Sequence, residues 1–378
     1  MIHKLLRSVE TLAPVLRAAA PQADQLARLP KPISSALVQH ELLRLWIPQS
    51  LGGLELSLPD ALQVYEAAAR IEGSAGWAVM IGCGGGLFAA YLNHDAAQAL
   101  YGSPVAVIAG SGAPTGEAER TAEGYRVSGR WRYASAADYA TTFTANCRIT
   151  ENGSAVLDAT GAPLIRAMAF DASQVTVLHT WNTSGLRGTG SDDFEVRDVF
   201  VPRSHTFSVL TDTPRETGPL YRLPFGVLTE LPVSAVALGI ARHVLEAFET
   251  LAQRKKGYGS GRLLAHDAGV QRQFAQSWAS WRVAQAGLHA LAAEAWQAAL
   301  ANQPLSTRTL AEITAGCALC VSQLRSAVGE LIALSGMTGI QMDDEIARGW
   351  RDLQTVAAHG SVSPLRLSEA GARMLDAR

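Results

Sequence analysis

In residues 213–378, apolar side chains recur at i, i+3, i+4 and i+7 through four stretches: residues 224–256, 268–301, 306–334 and 343–375. This spacing gives each stretch one apolar stripe. Four helices of roughly 25 to 35 residues bury such stripes against one another as a four-helix bundle. Pro364 should break the last stretch, because proline cannot continue a helix without a kink. At 378 residues the chain is too long for one ordinary core, so the bundle accounts for only part of it.

The preceding residues divide by texture. Residues 1–102 read as an α-helical domain, with Ala- and Leu-rich segments separated by turn signals such as Leu51-Gly52-Gly53. Ser57-Leu58-Pro59-Asp60 is a helix start, with a capping hydroxyl, a proline in the first turn and an acid beside it. Residues 103–212 carry short apolar or alternating runs punctuated by Gly, Asp, Asn and Ser, the pattern of a small β-sandwich or barrel. The expected fold class is therefore α+β multidomain: an N-terminal helical domain, a central β domain and a C-terminal four-helix bundle.

Composition narrows the function. The net charge is -2, and the densest basic cluster is Arg254-Lys255-Lys256, so no nucleic-acid partner is expected. The richest apolar run, residues 75–92, is interrupted by Gly82, Gly84, Gly85 and Gly86; no membrane-spanning helix is expected. The first twenty residues lack a signal-peptide core, and the four scattered cysteines suit a reducing cytoplasm. Gly110-Ser111-Gly112-Ala113-Pro114-Thr115-Gly116 reads as a Gly-rich loop that misses the dinucleotide fingerprint by one residue, and no βαβ unit follows it. Cys317 and Cys320 have no second ligand pair; helix-core packing is their reading, and no metal site is expected.

The order of the three zones resembles the acyl-CoA dehydrogenase superfamily, and local blocks strengthen the likeness. Gly124-Tyr125-Arg126-Val127-Ser128-Gly129-Arg130-Trp131, continuing to Ser135 and Asp138, resembles the family's flavin-contacting strand pair. About fifty residues on, Trp181-Asn182-Thr183-Ser184-Gly185-Leu186-Arg187-Gly188-Thr189-Gly190-Ser191 resembles its second β-domain signature. Val196, Val199, Val201 and Pro202 resemble the strand leaving that domain.

A flavin ring needs a flat apolar slot and a few polar groups at its N5, O4 and pyrimidine edge. Ser135 is of the type that bonds N5 or O4, and is otherwise a turn serine. Ser111 is read as touching flavin or phosphate through its hydroxyl. Trp131 and Trp181 are walls of the slot or core residues, and Thr189 and Ser191 are contacts or turn hydroxyls. The resemblance implies an arginine near Arg254 pairing with flavin phosphate across a subunit boundary, the alternative being a solvated charge at a helix end. It also implies that the loop at Gly336 and Gly339 approaches a neighbouring subunit's cofactor.

One departure from the dehydrogenases carries the functional expectation. Many of them hold a C-terminal glutamate base shortly after an Arg-Asp pair; after Arg351-Asp352 this chain has Ala357-Ala358-His359-Gly360-Ser361. Trp350-Arg351-Asp352 followed by His359 resembles the superfamily's flavin hydroxylases. The likeness implies the oxygenase component of a two-component monooxygenase. It would take reduced flavin, FMNH2 or FADH2, from a separate reductase and hydroxylate an aromatic or heteroaromatic molecule with molecular oxygen through a flavin C4a-hydroperoxide. His359 and Ser135 are the expected catalytic residues, His359 because imidazole can accept a proton or hydrogen-bond the peroxide near neutral pH. Arg351 and Asp352 are read as an ion pair that positions the helix.

An acyl-CoA dehydrogenase using FAD, with Glu246 or Glu249 as base, is the alternative; a third is a homologue that has lost flavin and serves as an assembly subunit. A homo-oligomer, as a tetramer, is implied by the resemblance and by the outer faces of the long helices. Residues 77–91 are expected to supply one wall of the substrate pocket. The four glycines there are read either as space for a planar ring or as close helix packing.

Overall fold

The structure, a computed structural model, describes residues 1–376. Helices α1 (Ile2–Leu26), α2 (Lys31–Gln39), α3 (Leu58–Ile71), α4 (Gly73–Gly86) and α5 (His94–Tyr101) come first. Ser57 caps α3 by accepting the Asp60 N–H, as its motif predicts. Helix α4 is apolar on every side and almost wholly buried. Close approach explains most of its glycines: a Cβ on Gly82 would meet Leu43 at 3.2 Å, on Gly85 Ile108 at 2.6 Å, and on Gly86 Ile47 at 2.7 Å.

Strands β1 (Ile108–Arg120), β2 (Gly124–Ala134), β3 (Thr142–Glu151), β4 (Ser154–Ala155), β5 (Ile165–Asp171), β6 (Thr176–Val177), β7 (Asp192–Pro202) and β8 (Thr206–Phe207) form one sheet. Its order is β6-β7-β2-β1-β3-β5-β8, with β4 beside β3. Phe194 on β7 and Phe143 on β3 are three strands apart, which in a flat sheet is about 14 Å. Their ring centroids lie 5.0 Å apart. The sheet therefore curls round its own core, helped by register shifts in β1 and β2. The Gly110–Gly116 segment is not the loop its composition suggests. It lies within β1, and a bulge between Ser111 and Gly116 absorbs it.

The bundle consists of α6 (Val227–Ala252), α7 (Ala268–Leu300), α8 (Thr307–Ser335), α9 (Glu345–Ala357) and α10 (Leu365–Asp376). The break in the fourth stretch comes at Ala358, earlier than expected, and Pro364 immediately precedes α10. One expectation is corrected here. Residues 73–91, α6 and residues 307–340 are long and apolar enough to cross a membrane by length and composition. They are nonetheless packed elements: 83% of the apolar window is buried in each of the first two, and 44% in the third.

Trp131 also departs from its candidate role. It is fully buried in the β core, stacked on Phe194 at 5.2 Å, with its Nε1–H donated to Asn146 O at 2.8 Å. Gly116 and Gly129 are bare because Trp131 fills their space. A residue so enclosed cannot wall a ligand slot. Replacing Trp131 with Phe should cost about 1–3 kcal/mol, since Asn146 O loses its buried donor. Chemical denaturation would show this, while reduced-flavin affinity, measured by fluorescence titration, should stay unchanged. A loss of affinity without a loss of stability would return Trp131 to the site.

Candidate active site

Trp77 on α4 is the centre of the site. Its indole Nε1–H donates to Ser135 Oγ at 3.0 Å, and its ring meets the His359 ring edge-on, centroids 5.5 Å apart. Ser135 follows β2 in a strained turn, with Tyr133 and Ala136 both in the left-handed region at φ 69°. Ser135 Oγ lies 2.7 Å from Ser191 Oγ, which lies 2.7 Å from Thr189 Oγ1. Thr189 donates to Leu186 O at 2.8 Å. A carbonyl only accepts, so the order of the hydroxyl protons follows: Trp77 to Ser135, Ser135 to Ser191, Ser191 to Thr189, Thr189 to Leu186 O. All three hydroxyls are buried.

The far end of this hydroxyl run is held from the opposite side. Leu186, itself left-handed at φ 49°, donates its N–H to Asp352 Oδ1 of α9 at 2.6 Å. Gly185 must be glycine here, because a Cβ would overlap Arg351 O. The expected Arg351–Asp352 pair does not form. Successive helical residues point apart, and Arg351 instead reaches Asp24 Oδ2 of α1 at 3.0 Å and Ser184 O at 2.9 Å. Arg187 Nε donates to Asp24 O at 2.7 Å. The 181–191 loop is thus tied to α1 and α9. It also lies against α4, where a Cβ on Gly188 would meet Ser74 at 2.9 Å.

His359 lies in the turn after α9, half-buried. Ser361 N–H donates to its Nδ1 at 3.3 Å, which leaves the ring proton on Nε2. Burial lowers its pKa, so the ring is neutral at neutral pH and presents an N–H donor. Of the two expected uses, accepting a proton or hydrogen-bonding a peroxide, a ring in this form suits the second.

The remaining candidates fall into two groups. Trp181 is half-buried near the end of the hydroxyl run: its Nε1–H donates to Leu186 O at 2.9 Å and its ring meets the exposed Tyr133 edge-on at 6.2 Å. Ser111, half-buried in β1, accepts the Ala113 N–H at 3.5 Å. Arg254 and Gly336 belong to the end of the bundle. Arg254 is exposed, and its neighbour Lys255 donates to Ser335 O and Thr338 Oγ1, both at 2.7 Å. Gly336, at φ 57° and ψ −143°, holds a conformation that requires glycine. Sequence reasoning did not single out Trp77, whose signal is hidden in a uniformly apolar helix.

Neither glutamate offered as a dehydrogenase base suits the task. Burial would raise Glu246, but bonds from Arg70 Nε at 2.9 Å and Arg242 Nε at 2.7 Å outweigh it and leave the carboxyl below its ordinary range. Glu249 is exposed on α6.

Comparison with known proteins gives the family. Residues 231–364 match the family model "Acyl-CoA dehydrogenase, C-terminal domain". The chain is 30% identical to the indole-3-acetate monooxygenase of Pseudomonas putida over 358 residues, covering 94% of this chain and 90% of that one. It is 25% identical to the flavin-dependent monooxygenase oxygenase subunit HsaA of Rhodococcus jostii, covering 96% and 95%. In fold it matches XiaF from a Streptomyces species, solved with FADH2 and glycerol, with TM-score 0.90, 24% identity and coverage of 100% and 95%. The chain belongs to the flavin-dependent monooxygenases of the acyl-CoA dehydrogenase fold.

Asp352 gives this site a pH signature. Burial and the neighbouring Glu72 push its pKa up to about 8, against the pull of the Leu186 N–H. An acid raised on folding contributes stability that is complete at low pH and is lost as pH rises through the folded pKa. Asp352→Asn keeps an acceptor for Leu186 and cannot ionise. Its melting temperature should fall less steeply than the wild type's between about pH 4 and pH 8, above which the slopes converge; Glu72, also raised by burial, leaves a residual slope. Asp352→Ala should be about 1–3 kcal/mol less stable at every pH, because it orphans a buried N–H. Identical slopes in wild type and the Asn variant would remove Asp352 as the titrating group.

Proposed function

We infer that the chain is the oxygenase component of a two-component monooxygenase that hydroxylates an aromatic or heteroaromatic molecule, with the reacting edge of the flavin held between Ser135 and His359. The observation that supports this most is the directed run of hydroxyls from Trp77 to Leu186, with a neutral His359 against the same indole.

The residues suit a flavin. Tyr133 and Trp181 offer aromatic surface beside Ser135, while Trp77, Ser191 and Thr189 hold its oxygen in place. Reduced flavin, when bound, supplies the two electrons that activate molecular oxygen. One oxygen atom enters the substrate and the other leaves as water. Ser135 can turn its one proton from Ser191 toward the cofactor edge while still accepting from Trp77. His359 Nε2–H offers a donor without bringing a net charge. Burial of this polar run keeps bulk water from competing for those bonds.

The names of the relatives support the substrate class and a separate reductase, since two of them are an indole-3-acetate monooxygenase and an oxygenase subunit. The exposed Arg254, Met337, Ile340 and Met342 near the Gly336 turn support a homo-oligomer, a tetramer in our reading, in which this end of the bundle meets another copy's cofactor. Four free, buried cysteines are compatible with a reducing cytoplasm.

Anaerobic protein loaded with reduced FMN or FADH2 should be mixed rapidly with oxygenated buffer and followed in the near ultraviolet. A transient lasting seconds is expected. Ser135→Ala and His359→Ala should each shorten it about 100-fold or more, the scale of one positioned donor. The transient should be insensitive to pH above the ordinary histidine range, because His359 is already neutral there. Reoxidation with no transient in the wild type would overturn the assignment.

A further inference from the structure

One glycine of α4 remains unexplained by packing. Along residues 77–88 nearly every side chain is buried; only Ile81, Gly84 and Phe88 are partly open. Ile81 and Gly84 fall at i and i+3, on one face of α4, with Trp77 one further step back on it, and Phe88 follows in the 3-10 turn of residues 87–91 that continues the helix. A Cβ on Gly82, Gly85 or Gly86 would strike a neighbouring side chain, whereas nothing lies within 4 Å of a Cβ on Gly84. The open strip begins at the indole that touches Ser135 and His359. It ends just past the helix C-terminus at Phe88, whose ring lies 5.1 Å from Phe207 and 5.9 Å from Phe225. An open strip with an indole at one end and three phenyl rings at the other favours a flat apolar ligand, since aromatic edges and faces pack best against another ring.

We propose that Gly84 is the size-determining residue of the substrate cleft, its missing side chain leaving room on the α4 face for the second ring of a bicyclic aromatic substrate. The inference rests on the reading of the site given above, and goes beyond it by naming the residue that sets ring size. Glycine costs helix stability wherever it stands in a helix interior. At Gly82, Gly85 and Gly86 helix packing offsets that cost; at Gly84 no packing does, and ligand space is the remaining use.

The test begins with Gly84→Cys in the full-length protein carrying reduced flavin under anaerobic conditions. The four native thiols are buried, and burial raises Cys83, Cys147 and Cys320 to about 12, so wild type provides a low alkylation background. The introduced thiol should react readily with iodoacetamide and be protected about 10-fold or more by saturating indole-3-acetate, but not by cyclohexylacetate. In parallel, Gly84→Leu should weaken indole-3-acetate binding about 10-fold or more while changing 4-hydroxyphenylacetate binding about 3-fold or less. Both variants replace a helical glycine with a better helix former, so folding is retained. An introduced thiol that does not react, alkylation that no aromatic probe slows, or equal losses for one-ring and two-ring probes in the Leu variant would each overturn the proposal. None of these readouts needs oxygen. Failure of the oxygen transient in wild type would count against the functional reading alone.

Discussion

The hydrogen bond from Leu186 N–H to the buried Asp352 carboxyl, 2.6 Å long, is the contact on which the geometry of the site turns. Leu186 ends the hydroxyl run that orients Ser135, and Asp352 belongs to the helix that leads into His359. One bond therefore sets the two sides of the site relative to each other, and Trp77 touches both. A carboxyl is placed where burial opposes its charge. It is tolerated because a peptide N–H, a nearby Arg348 and a proton close to neutral pH share the cost of burial. The surrounding ties have the same effect: Arg351 to Asp24 and Ser184, Arg187 to Asp24, Gly185 on the α9 backbone. Helices α1, α4 and α9 converge on one β-domain loop, which could not take its left-handed turn at Leu186 without them.

The large-scale order was legible because it rests on periodicity. Long helical stripes specify a bundle regardless of detail, and Ser57 announces its helix through local chemistry. Ser135, Ser191, Thr189 and His359 were legible only as parts of ordered blocks; taken singly each looks like a turn or surface residue. What failed depends on long-range packing. Arg351 finds its partner 327 residues away, beyond any local rule, which left the adjacent Asp352 as the natural mate. Gly110 to Gly116 has the composition of a loop, yet the glycines serve a bulged strand and the bulk of Trp131. Trp131 itself sits in a block that resembles a flavin-contacting strand but points into the β core. Trp77 was overlooked as an individual because an all-round apolar helix marks none of its faces.

The sign of the polar groups at the site explains why this fold suits oxygen chemistry here better than α-proton removal. Proton abstraction needs a carboxylate poised at the cofactor. Glu246 is committed to Arg70 and Arg242, and Asp352 lies on the far side of the Leu186 peptide. The groups at Trp77 are instead an indole N–H, hydroxyls and a neutral imidazole with its proton on Nε2. In a buried setting, neutral donors stabilise charge that develops on an oxygen, while a nearby carboxylate would repel it. Separating Asp352 from the donors by one peptide, and holding its proton up to about pH 8, keeps the rigidity it provides without a charge beside them. That separation is absent from any linear motif. It arises only when the loop at Gly185 and Leu186 closes over α9, which ties the helix leading into His359 to the loop that holds Ser135.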